Sequence, residues 1–462
     1  MSRSFALTRI RALAFAAVAV VLTVHSARGQ GVTKGRDPLA GLDAYVGSLM
    51  KEWQVPGMSI AVVRGDSAIL TKGYGVREVG GDVPVDAHTI FAIGSASKAF
   101  TGAALSLLAD DGKVDFDRRV TEYLPGFEMY DPWVTREIRV RDLLLHRSGM
   151  SRGDNLWYGT TRSRMEIVQA IRHLEPSTSF RTHFQYQNLM YITAGEVVRS
   201  ASGMSWDDFV KSRIFAPLGM NESNTSVRDL TSGQNVAAPH ALLNGAVRAI
   251  PWRNIDNAAA AGSINSNAAD MSQWLRFWIN GGMVNGKPVL STARVTESIT
   301  PQFIVDEPGL IARLMSPPTL GYGFGWFVQT LRGRTVVSHG GNIDGMAAMV
   351  AFLPDEKVGI VVLTNMNQSD ITIPLHANIV DRLLGISPPH DYNAEYRVAL
   401  KKFDDEARAG DAARPSGRYE AIAAAGVVRG HLPERPSRRS DRSARGQRRV
   451  VDRVRVEPGR DG

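Results

Sequence analysis

The sequence holds 462 residues, 44% of them apolar and 22% charged, ordinary values for a globular chain with room for one large domain or two to three average ones. It has no cysteine, which excludes disulfides, thiol catalysis and a lipoprotein anchor. The net charge of +8 does not argue for a nucleic-acid partner, because eleven arginines against five acids between Arg429 and Gly462 supply about six of those charges.

In chain order, Arg3, Arg9 and Arg11 precede an apolar run from Ala12 to Val24, and Ala27-Arg28-Gly29 follows with small residues. This pattern predicts a secretory signal over residues 1–29, and with it a periplasmic or secreted protein; a retained N-terminal anchor is the alternative. Leu39 to Trp53 has helical spacing. Met58 to Val63 and Ala68 to Leu70 read as a hairpin around Arg64-Gly65-Asp66-Ser67. Thr89 to Ile93 is a short apolar run, and Ser97 to Asp110 a buried helix. From about residue 113 to 320 the texture is helical, clearest at Met165–Leu174, Leu189–Ser200, Trp206–Phe215 and Ala268–Ile279. Strand patterns return at Tyr322–Leu331, Thr335–Ser338, Met346–Leu353 and Val358–Thr364, followed by a helix at Ile373–Leu384. Strands, then helices, then strands predict an α+β domain over residues 30–388: an antiparallel sheet built from both ends, flanking helices and an inserted helical region.

Three elements carry chemistry. Ser95-Ala96-Ser97-Lys98 puts a hydroxyl and an amine one helical turn apart, at a helix N-terminus whose field favours oxyanion character. Ser48-Leu49-Met50-Lys51 has the same spacing but lies inside a helix, without the strand-to-helix turn that Gly94-Ser95 has. Alone, the spacing would equally suit an N-cap serine and a solvated lysine. Tyr186-Gln187-Asn188 precedes another helix: a tyrosine beside a cation can act as base, and the Asn188 amide can orient Lys98 and bind a carbonyl. Packing and capping would also account for them. His339-Gly340-Gly341 is expected to end the strand Thr335–Ser338, with glycines that open the backbone to a substrate. No His-Glu-x-x-His or Gly-x-Ser-x-Gly occurs, which speaks against a zinc hydrolase and an α/β-hydrolase. No metal or cofactor is expected.

In this order the elements resemble the serine β-lactamase and penicillin-binding D,D-peptidase superfamily, whose signatures are Ser-x-x-Lys, Tyr-x-Asn and Lys-Thr-Gly. Pro56 to Val62, Leu143-Leu144-Leu145-His146-Arg147-Ser148-Gly149-Met150, Thr178 to Arg181, Phe215 to Met220 and Gly321 to Trp326 look like it too, over about residues 40–388. The resemblance implies Ser95 as nucleophile, Lys98 and Tyr186 as its base, and Asn188, His339 and Gly341 at the substrate. The backbone N–H groups of Ser95 and Asn342 would form the oxyanion hole. The departure is His-Gly-Gly where the family has Lys-Thr-Gly; Lys357-Val358-Gly359 falls in a hairpin turn and does not replace it. An imidazole attracts a substrate carboxylate weakly, which disfavours efficient β-lactam hydrolysis; the resemblance, through family branches with His-x-Gly at this point, implies an esterase or a hydrolase of D-residue peptides and amides. A β-lactamase or D,D-carboxypeptidase proper is the alternative, and an inactive cell-wall-binding protein the reading from another class. The expected partner is a small molecule or peptide, with no nucleic acid and no membrane span after signal cleavage.

Beyond 388 the resemblance fades. Residues 389–416 read as a charged helical linker and 417–462 as a basic, disordered tail. The tail is either an out-of-frame replacement of a C-terminal domain or a genuine segment for an anionic envelope surface.

Overall fold

A computed structural model describes residues 37–231, 233–306, 320–367 and 369–412. The signal expected over residues 1–29 and the tail expected over 417–462 lie outside the described residues.

Counting the strands of the main sheet and the longest helices, the elements are α1 (Leu42–Trp53), β1 (Gly57–Arg64), β2 (Ser67–Gly75), α2 (Ser97–Asp110), α3 (Leu189–Ser202) and α4 (Ala268–Ile279). There follow β3 (Phe303–Ile304), β4 (Gly321–Tyr322), β5 (Phe327–Leu331), β6 (Arg334–Ile343), β7 (Met346–Leu353), β8 (Val358–Thr364), α5 (Thr372–Leu383) and α6 (Tyr392–Ala412). The eight strands form one antiparallel sheet in the order β2-β1-β8-β7-β6-β5-β4-β3. β1 pairs with β8, Met58 opposite Thr364, so the sheet is closed by strands from the two ends of the domain, as expected.

The sheet is covered on both faces, which is why β1, β7 and β8 read as continuous apolar runs rather than alternating ones. Met58, Ile60 and Val62 pack with Leu42, Val46 and Leu49 of α1 and with α5. Ala61 and Val63 face the other core, with Leu275 and Trp278 of α4. α2 is apolar all round and buried from Ser97 to Ala109, as such a helix must be. Phe100 on α2 stacks on Trp274 at 3.8 Å.

Three expectations are corrected. Tyr322–Leu331 is two strands, because a tight turn closed by Gly323 N–H on the Trp326 carbonyl drives Phe324 and Trp326 into the core. The strand expected to stop at Ser338 runs on to Ile343, so His339, Gly340 and Gly341 lie within it. The helix expected as a linker is docked: Tyr392, Tyr396 and Leu400 are buried at helical spacing against the α1 and α5 core, and Trp53 Nε1 donates to Asn393 Oδ1 at 2.8 Å.

Candidate active site

Ser95 sits on a single 3₁₀ turn, Gly94–Ala96, between the short strand Phe91–Ala92 and α2. Gly94 adopts φ +51°, and a Cβ there would lie 2.7 Å from the Asn342 nitrogen, so only glycine lets β6 approach the seryl turn. Gly341 answers from the strand side, where a Cβ would fall 1.8 Å from the Ile93 carbonyl oxygen. Its glycine serves the fit of strand to nucleophile turn rather than opening the backbone to a substrate, which corrects the expected role.

Lys98 is fully buried, and its Nζ meets three oxygens: Ser95 Oγ at 3.0 Å, Asn188 Oδ1 at 2.8 Å and the Ala261 carbonyl at 2.8 Å. Two of these can only accept. A neutral amine that gives its two hydrogens to them therefore aims its lone pair at the Ser95 hydroxyl, the geometry of a general base. Burial pushes the Lys98 ammonium well below the lysine range, the nearby Arg152 charge adds to this, and Asp154 opposes it.

Asn188 is held in the orientation that serves Lys98. Its Nδ2 donates to Asp154 Oδ1 at 2.9 Å, and because a carboxylate only accepts, the amide oxygen is left facing the lysine. Asp154 in turn takes Trp157 Nε1 at 2.8 Å and pairs with Arg152. One Nδ2 hydrogen is thus committed, and Asn188 is a positioning group before it is a substrate ligand.

Tyr186 joins the same cluster. Lys98 Nζ lies 4.9 Å from its ring centroid and Arg152 Cζ 5.6 Å, and the phenol lies near enough to Ser95 to feel its hydroxyl. Burial pushes that phenol up, and the Ser95 hydroxyl and the charge of Arg152 pull it down by less. These directions favour Lys98 over Tyr186 as the group that takes the proton within the expected pair, with the phenol neutral beside it.

The substrate face of β6 follows from register. The Leu331–Arg334 pair flanks a two-residue turn, so Arg334 directs its N–H and C=O toward β5, and so does every second residue after it. β5 begins at Phe327, opposite Ser338. Gly340 and Asn342 therefore point to an edge that no strand covers among the described residues, and the Asn342 N–H, beside the Ser95 turn, is aimed where an oxyanion donor is needed. Ser95, Tyr186 and Gly340 are partly exposed and Asn342 is exposed, so the edge opens to solvent.

His339 is placed differently from the expectation. Its Nδ1 lies 2.6 Å from the Gly340 carbonyl and must donate, and its Nε2 lies 3.0 Å from the Tyr322 hydroxyl and so accepts. Tyr322 also meets His146 Nε2 at 3.2 Å, and His146 Nδ1 accepts from Gln187 N–H at 3.2 Å. The two imidazoles and the phenol form one directed chain from the Tyr186 loop to β6. Burial first, then the Lys98 charge, pushes His339 down to about 3, so the ring is neutral with both nitrogens engaged. Sequence reasoning passed over Asp154, Arg152 and Tyr322 as site residues; His146 lay in a stretch singled out, with no role attached.

A depressed, buried amine on a half-exposed seryl hydroxyl, next to an open strand edge, defines a serine hydrolase. The family model described as Beta-lactamase matches residues 42–380, and the chain belongs to that family. It is 30% identical over 392 residues to the unguisins hydrolase ungD' of Aspergillus campestris, covering 79% of this chain and 70% of that one. To protein flp of Staphylococcus aureus it is 24% identical over 330 residues, covering 71% and 63%. Among solved structures, the octameric penicillin-binding protein homologue from Pyrococcus abyssi aligns with a TM-score of 0.65 at 23% identity, covering 76% of this chain and 79% of that one. The D-amino acid amidase of Ochrobactrum anthropi SV3 aligns with a TM-score of 0.61 at 22% identity, covering 75% and 98%. These two show the shared fold. Among the described residues, no helix is long and apolar enough to cross a membrane.

Proposed function

We infer that the chain is an exported hydrolase that cleaves esters, or amides of D-residues, through an acyl-enzyme on Ser95. One observation carries this: Lys98 Nζ is bound by two obligate acceptors and the Ser95 hydroxyl. Neutral Lys98 takes the Ser95 proton as Oγ bonds to the substrate carbonyl carbon, and the carbonyl π electrons move onto oxygen. The N–H groups of Ser95 and Asn342 stabilise that oxyanion. On collapse the bond to the leaving group breaks, and the lysine proton passes to it with Tyr186 as the nearest relay. Water then repeats the sequence against the acyl-enzyme, with Lys98 again taking a proton.

The class of substrate is supported by the third motif. Where the family resemblance leads one to expect a lysine, the strand offers a neutral, engaged imidazole, which does little for the carboxylate of a β-lactam or a D-Ala-D-Ala peptide. The relatives named for unguisins and for D-amino acid amides fit the same reading. An idle binding module would gain nothing from Lys98, because a buried ammonium costs stability unless its charge state is used.

The test is a fluorophosphonate label on the full chain and on Ser95→Ala, beside rates on p-nitrophenyl acetate, a D-Ala p-nitroanilide and nitrocefin. The expected result is labelling that depends on Ser95, with turnover of the ester or anilide well above nitrocefin. Labelling that survives Ser95→Ala would defeat the assignment. Recovery of the chain in the periplasm or medium, beginning after residue 29, tests export.

A further inference from the structure

The open edge of β6 is bounded at both ends by contacts that cross from the helical region to the sheet. At the Ser338 end stands the chain His146–Tyr322–His339. At the other end Asp344, in the turn after β6, takes the Tyr158 hydroxyl at 2.7 and 2.8 Å on its two oxygens and Arg253 Nε at 2.9 Å. The Arg253 guanidinium lies 4.9 Å from the Tyr158 ring centroid, so each of the three groups touches the other two.

These groups come from segments already tied to the site. Tyr158 follows Trp157, whose indole is fixed on Asp154 and whose carbonyl takes Asn257 Nδ2 at 2.9 Å. Arg253 leads toward the short helix Ala259–Gly262, which presents the Ala261 carbonyl to Lys98. Asp344 stands two residues beyond Asn342. Between the two crossings lie only residues 340–343, an edge of roughly 13 Å at strand rise.

We propose that Tyr158, Asp344 and Arg253 form an end wall that limits how far a substrate extends on one side of the scissile bond. This rests on Ser95 being the nucleophile. The contacts are placed where a substrate laid along the edge would have to continue past Asn342. Ring and paired charges present no net charge there, so the wall excludes length rather than attracting a charged terminus. The Arg253 and Asp344 side chains are 40% and 23% exposed, and ion pairs this open add little to stability, so the cluster's consequence is geometric.

The experiment measures kcat/KM on two series with the full chain: p-nitrophenyl acetate, butyrate and octanoate for the acyl side, and phenyl, naphthyl and biphenylyl acetates for the departing side. Tyr158→Ala and Arg253→Ala are expected to raise the long-to-short ratio about tenfold in one series and leave the other unmoved. Tyr158→Phe, which keeps the ring and loses the hydroxyl, is expected to raise it less. A ratio unchanged in both series, or raised equally in both, overturns the wall. Fluorophosphonate labelling runs alongside and separates the two failures: label without a ratio change defeats the wall alone, and no label on the unmodified chain defeats Ser95 and the wall together.

Discussion

The Tyr322 hydroxyl donates to His339 Nε2 across 3.0 Å, and the same oxygen receives the Nε2 hydrogen of His146. Its removal would leave a donor and an acceptor facing each other across a buried gap. Tyr322→Phe is therefore expected to cost about 1–3 kcal/mol in urea unfolding, the penalty for unpaired buried polar groups. It should also lower kcat/KM about tenfold, because β6 and the Tyr186 loop lose their common anchor. Unchanged stability together with unchanged kcat/KM would show that the chain from His146 to Gly340 positions nothing.

Asp154 and Arg152 act on Lys98 with opposite signs, and the pH profile separates them. Asp154 raises the lysine and Arg152 lowers it. The neutral amine is the active form, so kcat/KM should rise with pH along a limb that reports the Lys98 ionisation. Asp154→Asn should move that limb to lower pH, and Arg152→Gln to higher pH. Asp154→Asn should also reduce the plateau, because its amide no longer forces Asn188 to turn its oxygen to the lysine. Limbs that move together, or not at all, would deny Lys98 the role of base.

Much of this was legible in the sequence, for identifiable reasons. β7, β8, α2 and α4 match their predicted limits because apolar run and breaker coincide there, as at Pro354 to Lys357. Ser48 and Lys51 lie inside α1, whereas Ser95 follows a short strand on a turn that leads into α2, so the local contexts that separate the two identical spacings are as the sequence reads. The roles of His339 and Gly341 did not follow, since they depend on tertiary neighbours: Tyr322 for the imidazole, Ile93 for the glycine. Asp154, Tyr158 and Asp344 carry no local signature, because each acts through a partner far along the chain.

Acid should unfold this protein through its buried imidazoles. His339 is neutral in the fold down to about pH 3, whereas an unfolded chain protonates it near 6.5. The unfolded state thus binds the extra proton below about 6.5, and stability present above that pH is lost as pH falls toward 3. His146, also pushed well below its ordinary value by burial, adds to the same slope. His339→Gln should flatten the fall of unfolding free energy between pH 6.5 and 4 by about one proton's worth, near 1.4 kcal/mol per pH unit. Equal slopes in the two proteins would place the acid sensitivity elsewhere.

Adjacent glycines in β6 should respond in opposite ways to a single methyl group. Among the described residues, a Cβ on Gly340 would meet nothing nearer than 3.7 Å, whereas one on Gly341 would fall 1.8 Å from the Ile93 carbonyl and 3.1 Å from the Ala96 nitrogen. Neither position has a positive φ, so the contrast is one of space alone. Gly340→Ala should unfold within about 1 kcal/mol of the unmodified chain. Gly341→Ala must push the strand away from the Ser95 turn, losing about 3 kcal/mol or more and most of the fluorophosphonate labelling, because the Asn342 N–H moves with it. Thermal unfolding and labelling rates of the two variants, taken side by side, decide whether the close approach of β6 is what assembles the oxyanion donors.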